Sequence, residues 1–310
     1  MNKAPLIKML FLTLLLGLAT TASAANVLKL QKLDNNVYAI IGPLGNRDKV
    51  NLGNNANFGF VVTKQGVLLI DPGGTYRGAK EIHKLIKTVT TQPVKLVINT
   101  GGQDHRWMGN SYFKKLGAKI IASKAAVADH KARQQDQFFM LGNLVGDKGL
   151  KNTEAVYADE VFDTVYKGRL GKVTFEVHHL GKAHTPGDSF VWLPAQKIMF
   201  SGDIVYVDRM LGVGGESNSK SWVSVFEGMA KFKPEILVPG HGQVTDLKQA
   251  RADTYDYLVF LRTTVSRFME QGGGIESVGK LDQSRFKYLE NYDALKGRNA
   301  QKVYEELEWE

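Results

Sequence analysis

Apolar residues in this chain fall into short runs of strand length, separated by polar pieces rich in glycine, proline and asparagine. Val27-Leu28-Lys29-Leu30, Val37-Tyr38-Ala39-Ile40-Ile41, Phe58-Gly59-Phe60-Val61-Val62 and Val67-Leu68-Leu69-Ile70 each read as a β-strand. Pro43-Leu44-Gly45-Asn46 and Gly53-Asn54-Asn55 supply turn chemistry between them. The pattern then predicts a helix over 79–89, a strand over 94–99, a segment around 107–116, a strand over 118–122 and a second helix over 124–144. A second series follows: strands over 173–177 and 190–193, one ending at Phe200, a helix over about 221–232 and a strand over 235–238. From Asp246 the chain is mostly helical, broken at Gly272-Gly273-Gly274. Strands and helices thus alternate in two comparable halves, which predicts an α/β layered fold with sheets covered by helices. No short repeat, low-complexity tract or long linker divides it, so residues 25–310 are expected to form one domain.

The first 24 residues carry a different signal. Lys3 and Lys8 give a positive start, 9–18 is almost wholly apolar, and Ala22-Ser23-Ala24 is a small-residue cleavage pattern. The apolar run of about ten residues is too short to span a bilayer core of roughly 30 Å as a helix. A signal peptide over 1–24 is therefore expected, with a periplasmic or secreted product that has no membrane attachment after cleavage. The formal charge is +9, and losing Lys3 and Lys8 lowers it by two. The remaining cations are mixed with acids and form no basic stripe with interleaved aromatics, which argues against nucleic acid as a partner. The surplus favours solubility and, mildly, a small-molecule substrate that is anionic. With no cysteine in the chain, disulfides, thiolate ligands and a cysteine nucleophile are excluded.

Chemistry concentrates at strand ends. Asn99-Thr100-Gly101-Gly102-Gln103-Asp104-His105, Gly181-Lys182-Ala183-His184-Thr185-Pro186-Gly187-Asp188, Phe200-Ser201-Gly202-Asp203 and Pro239-Gly240-His241-Gly242 follow or close predicted strands. Strand ends fix the backbone, and glycines let it approach a small ion closely. Metal ligands belong on such loops, so their histidines and acids are candidates as a group. The other histidines read as structural: His178 and His179 at a strand end, His83 and His130 as surface residues on helices. Trp107 and Trp222 read as packing residues. Arg47, Arg106 and Arg209 lie in or beside these loops, as solvated charges or as groups that would hold an anionic substrate.

Ile70-Asp71-Pro72-Gly73, Ala183-His184-Thr185-Pro186-Gly187-Asp188, Ser201-Gly202-Asp203 and Pro239-Gly240-His241-Gly242 come in the order and spacing of the metallo-β-lactamase superfamily, which the chain resembles from about Val27 to Gly242. The export signal and the Asp104-His105-Arg106-Trp107 setting look most like its periplasmic metallohydrolase branch. The resemblance implies a four-layer αβ/βα sandwich with metals at the sheet edge, here carrying a helical C-terminal extension from about 246. It also makes Asp71 a turn-former or supporting carboxylate. The family motif His-x-His-x-Asp-His ends correctly in Asp104-His105, but its first two histidines are missing. Counting back from Asp104 puts Thr100 and Gly102 in their places, whereas a one-residue deletion after Asn99-Thr100 gives a different register. The family's three-histidine site would keep only His184. The other site would keep Asp104, His105 and His241, with Asp203 at the bridging position.

That donor set suits zinc, one ion per chain, and also iron or manganese, since carboxylates are harder ligands. The expected activity is hydrolysis of an ester, thioester or amide by a metal-activated water, with Asp104 or His184 relaying a proton. A metal-containing binding or accessory protein without turnover is the competing reading, because the lost histidines remove a dinuclear mechanism. Iron-dependent sulfur dioxygenase chemistry is weaker still, since family members that perform it use the two histidines absent here.

Overall fold

A computed structural model of the chain describes residues 27–310, so the expected signal segment lies outside the described residues. Two sheets form the centre. The first runs, in spatial order, β1 (Lys29–Lys32), β2 (Val37–Ile41), β3 (Phe58–Thr63), β4 (Gly66–Ile70), β5 (Val94–Asn99), β6 (Lys119–Ser123) and β7 (Glu160–Phe162). Its first four strands are antiparallel, with short turns between β1 and β2 and between β3 and β4 and a long loop over 42–57 between β2 and β3, whereas β4 to β7 run parallel. A parallel neighbour requires a crossover long enough to return the chain to the same end. These crossovers carry α1 (Tyr76–Val89), then α2 (Asp104–Trp107) with α3 (Asn110–Lys115), then α4 (Lys124–Leu150).

The second sheet contains β8 (Val165–Leu170), β9 (Val173–His178), β10 (Phe190–Leu193), β11 (Ile198–Phe200) and β12 (Ile236–Val238), in the order β12-β11-β10-β9-β8. Its one parallel pair, β11 with β12, is bridged by α5 (Ser219–Ala230). The chain ends in α6 (Leu247–Ala250), a π-helical turn over Arg251–Tyr255, α7 (Asp256–Glu270), α8 (Ile275–Val278) and α9 (Tyr292–Leu307).

Alternation along the strands gives each sheet two buried faces. Val61, Leu68, Ile70, Ile98 and Ile121 of the first sheet meet Val177, Val191, Leu193 and Phe200 of the second. The opposite face of the first sheet, with Phe58, Phe60, Leu69 and Val97, packs on Ile82 and Ile86 of α1 and Phe113 of α3. Phe190, Trp192, Met199 and Leu237 pack outward on Trp222 and Phe226 of α5 and Leu258 and Leu261 of α7. The result is the expected αβ/βα layering. Burial of these side chains on both sides of each sheet is the main stabilising term, at roughly 1.5–3 kcal/mol for each large apolar group.

Two strands escape the sequence pattern. β7 has only three residues, too few for a periodic signal, and β8 is an edge strand whose Val-Tyr-Lys-Gly-Arg-Leu alternates between exposed and half-buried. Charged edge strands of this kind resist pairing with other chains. α4 extends beyond the expected 124–144, with a left-handed Gly146 (φ 71°) kinking its last turn. Among the described residues no helix is long and apolar enough to cross a membrane.

Candidate metal centre

The loops that leave β4 and β5, parallel neighbours in the first sheet, and β11 and β12, parallel neighbours in the second, meet at one rim. Asp71 follows β4 directly in a left-handed conformation (φ 61°), which turns its carboxylate inward. The β11 and β12 loops approach so closely that a Cβ at Gly240 would sit 2.5 Å from Gly202 O and 2.7 Å from Asp203 Oδ1. Only glycine permits that approach.

His105, Asp203 and His241 converge there, all buried, with one donor atom from each lying within 4.8 Å of the others. His105 Nε2 is 3.1 Å from Asp203 Oδ2, and His241 Nε2 is 3.3 Å from Asp203 Oδ1. His241 Nδ1 lies 2.9 Å from Asn55 O; a carbonyl can only accept, so Nδ1 carries the proton and Nε2 presents a lone pair. The ring is further fixed by stacking on Tyr206, with centroids 4.7 Å apart. Burial, reinforced by Arg209, holds the His241 pKa well below its usual value, so the ring is in the neutral form that can ligate. Two oriented imidazoles and a carboxylate form a group that could hold a divalent metal ion.

Beneath this group Arg106 is fully buried. It donates to Asp71 Oδ2 at 2.8 Å, to Asp203 Oδ1 at 2.7 Å, and to the carbonyls of Asn57 and Gly240 at 2.8 and 3.1 Å. Burial alone would raise the Asp203 pKa, but Arg106, with His105 and His241, holds it well below the usual carboxylate range. Arg106 therefore neither sits in solvent nor meets a substrate, as a loop arginine was expected to do. It pins the strand-end loops together through two carboxylates. Asp71 has the supporting role expected, accepting also from Thr100 N at 2.8 Å and Thr100 Oγ1 at 2.7 Å.

Asp104 and His184 lie just outside the three-residue group. The Asp104 carboxylate accepts the His105 backbone N–H at 2.7 Å and lies 2.9 Å from Arg47 Nε and 3.2 Å from His105 Nδ1. It thus faces the back of the His105 ring rather than the cluster centre. His184 lines the same cavity as His105 and His241 and donates from Nδ1 to Gly212 O at 3.0 Å. Burial lowers its pKa to about 4, which keeps its Nε2 unprotonated at neutral pH. The loop carrying it is closed by Asp188, which accepts from Thr185 N at 2.7 Å and Thr185 Oγ1 at 2.5 Å.

Where the first two motif histidines would stand, the interior is filled. Thr100 turns away to Asp71, so a histidine there could not reach the cavity. A Cβ on Gly101 would lie 2.4 Å from Asp188 Oδ1, and one on Gly102 only 1.7 Å from Asp129 Oδ2. The residue of this stretch that does line the cavity is Gln103, two positions before His105. The geometry therefore favours the shifted register, with positions 101 and 103 in place of 100 and 102. α4 holds the loop in this state: His130 Nε2 donates to Gly101 O at 2.9 Å, and Gln137 Nε2 donates to Gly102 O at 2.8 Å. Arg133, paired with Asp129, donates to the same Gly102 carbonyl at 3.2 Å.

His130 is a correction to the sequence reading. It is fully buried, stacked on Trp107 at 4.5 Å, with a pKa lowered to about 4 by burial. His83 is only half-buried and meets Tyr112 OH at 2.9 Å. Trp107 and Trp222 are packing residues as expected, their indole N–H groups donating to Gln137 Oε1 and Ile204 O. The spacing of Asp129, Arg133 and Gln137 at i, i+4 and i+8 was the one available sign of a buried polar face on α4.

Comparison with known proteins gives a consistent result. A family model described as the Metallo-beta-lactamase superfamily matches residues 52–241. A metallo-beta-lactamase type 2 of Elizabethkingia meningoseptica is 28% identical over 195 residues, 62% of this chain and 70% of that protein. The metallo-beta-lactamase IND-1 of Chryseobacterium indologenes is 25% identical over 211 residues, 67% of this chain and 78% of that protein. Among solved structures, a metallo-beta-lactamase from Pontibacter korlensis superposes with a TM-score of 0.61 at 23% identity, covering 75% of this chain and 99% of that one. At that identity the likeness speaks for the fold alone. Helices α6 to α9 lie beyond the family match.

Proposed function

The chain belongs to the metallo-beta-lactamase superfamily, and on that premise we propose that it is an exported hydrolase with one catalytic metal ion, held by His105, Asp203 and His241. The observation that carries this reading is the orientation of the donors: His241 is locked by Asn55 with Nε2 free, and both Nε2 atoms converge on the Asp203 carboxylate. Zinc fits two imidazoles and a carboxylate, with iron or manganese as substitutes. Such an ion, when bound, acidifies a water and polarises the carbonyl of an ester, thioester or amide.

The chain's own groups divide the remaining work. Arg106 keeps Asp203 ionised, so this carboxylate is a permanent anionic donor. Asp104 holds the His105 backbone N–H, lies 3.2 Å behind the ring at Nδ1 and pairs with Arg47. His184, neutral and with Nε2 free, is the group placed to accept a proton from the attacking water and return it to the leaving group. Elemental analysis of purified protein should give about one zinc or iron per chain, and turnover on an ester or thioester panel should vanish with a chelator and return with metal. Chelator-insensitive turnover, or two tightly bound ions, would sink the reading.

A second reading, a metal-containing binding protein without turnover, draws on the filling of the other half of the site by α4. It requires that no member of the panel is turned over with any metal added. Export itself is tested by intact mass, which should place the mature N-terminus near Ala25.

A further inference from the structure

The cavity beside the metal group has a volume of about 260 Å³, and its charge is one-sided. Arg47, Arg209 and Arg298 line it together with His105, His184 and His241, and no aspartate or glutamate does. The three arginines come from distant parts of the chain: the β2–β3 connection, the loop after β11, and α9. Arg47 has a partner in Asp104. Arg209 and Arg298 have no carboxylate within 4.0 Å among the described residues, and Arg209 Nε is buried without any acceptor. This sets them apart from their neighbours. Lys296 and Lys302 on α9 pair with Asp293 and Glu305, and Arg262 pairs with Glu310.

The wall that carries Arg298 is firmly fixed. Asn299, fully buried, donates to Leu211 O at 2.8 Å and accepts from Val213 N at 2.9 Å, which binds α9 to the loop bearing Arg209. Met210 N donates to Glu290 O at 2.9 Å, and Asn291 Nδ2 donates to Leu44 O at 3.3 Å. The π-helical turn adds Thr254, whose hydroxyl bonds both the N–H and the carbonyl of Tyr206.

From this we propose that the C-terminal extension completes the site as an oxyanion subsite. In it Arg298 and Arg209, with Arg47 beside them, hold a carboxylate-type group of the substrate next to the metal-binding residues. Guanidinium groups that share a cavity without counter-charge repel each other, and a planar oxyanion reverses that sign while engaging their forked donors. The volume is below the usual range for drug-sized ligands, so the substrate class is a small acyl compound bearing an anionic group. Its hydrolysis rests on the function proposed above; its binding does not.

Titration calorimetry at low ionic strength, on the full mature protein in metal-free and zinc-loaded forms, separates the two. The metal-free arm removes direct ligation of the anion by zinc. Succinate and inorganic phosphate are the probes, and the one bound more tightly through Arg298 assigns the oxyanion as carboxylate or phosphate. Arg298→Ala should weaken the preferred anion about tenfold or more, the loss expected for charge-assisted hydrogen bonds. Arg298→Lys should recover part of it, and Lys302→Ala should leave it unchanged. Arg298 is exposed, so the fold is not at risk. If an ester is turned over, Arg298→Ala should also lower the kcat/KM ratio of monoethyl succinate over diethyl succinate, mainly through KM. Equal binding of both anions by the parent and Arg298→Ala overturns the subsite. Arg298-dependent binding without turnover of any ester retains the subsite and overturns the hydrolase.

Discussion

The two sides of the loop over residues 99–107 have been built to opposite ends. On one side His105 meets Asp203 and His241, and every supporting group preserves open donors: Asn55 holds one ring, Asp104 backs the other, and Arg106 keeps the carboxylate charged. On the other side the donors are gone, and α4 fills the vacated positions: His130, Arg133 and Gln137 take up the carbonyls of Gly101 and Gly102, and Asp129, paired with Arg133, occupies the space a side chain at Gly102 would need. The difference teaches that losing ligands is not simply subtraction. A buried polar loop without its metal still has carbonyls to satisfy, and here a helix satisfies them. The first side is organised around something absent from the chain, whereas the second is complete in itself.

The sharpest way to break this comparison is at Asp203. Asp203→Ala removes the main partner of a buried arginine and a donor at once, and should cost about 3–5 kcal/mol in denaturant unfolding and abolish metal binding by elemental analysis. Retained metal content would show that the open side is not where the ion binds.

The closed side makes a pH prediction. His130 has a folded pKa lowered to about 4 against an unfolded value near 6.5. The unfolded chain therefore binds the extra proton first, and this contribution to stability is present above pH 6.5 and lost as pH falls toward 4. The loss should be about 3 kcal/mol across that window. His130→Gln keeps a donor for Gly101 O and should flatten the slope; an unchanged pH dependence would remove His130 as its cause.

Asp104→Ala sharpens the distinction between a ligand and a group that orients one. From its place behind His105 it should weaken metal affinity about 10–100-fold, the usual effect of an outer partner, while an ion still binds at saturating concentration. Complete loss of binding in a folded variant would make Asp104 a ligand after all. Should an ester substrate be found, turnover should fall with occupancy and recover in part with added zinc.

The smallest change expected is at Gln103, the one residue of the lost stretch that faces the cavity. Gln103→His should fold normally and give a weak second metal site with His184, detectable as a fractional rise in zinc content. Thr100→His with Gly102→His should add no metal and lower the melting temperature, because Gly102 has no room for a Cβ. A higher metal count in that double variant would restore the unshifted register.

Most of the layered fold was legible in the sequence because apolar runs of strand length leave few alternatives, and the order of the strand-end motifs, matched to that of the superfamily, marked His105, Asp203 and His241. Short β7 and polar β8 were not legible, since a three-residue strand and a charged edge carry no periodic signal. Nor was the direction of a side chain within the loop. Asp104 and His105 are adjacent in the chain, yet one faces the cluster and the other its back, and only the α2 turn decides which. Arg106 and His130 looked like surface groups because each is polar and local pattern cannot see what packs over it. Asp71 and Asp203 bury the first, and Trp107 covers the second. Sequence by itself determined the element order, the strand-end chemistry and the absence of two histidines. Tertiary structure alone decided what filled their place and brought Arg298 of α9 into the cavity that Arg209 lines, because burial and long-range charge depend on distances that no spacing along the chain encodes.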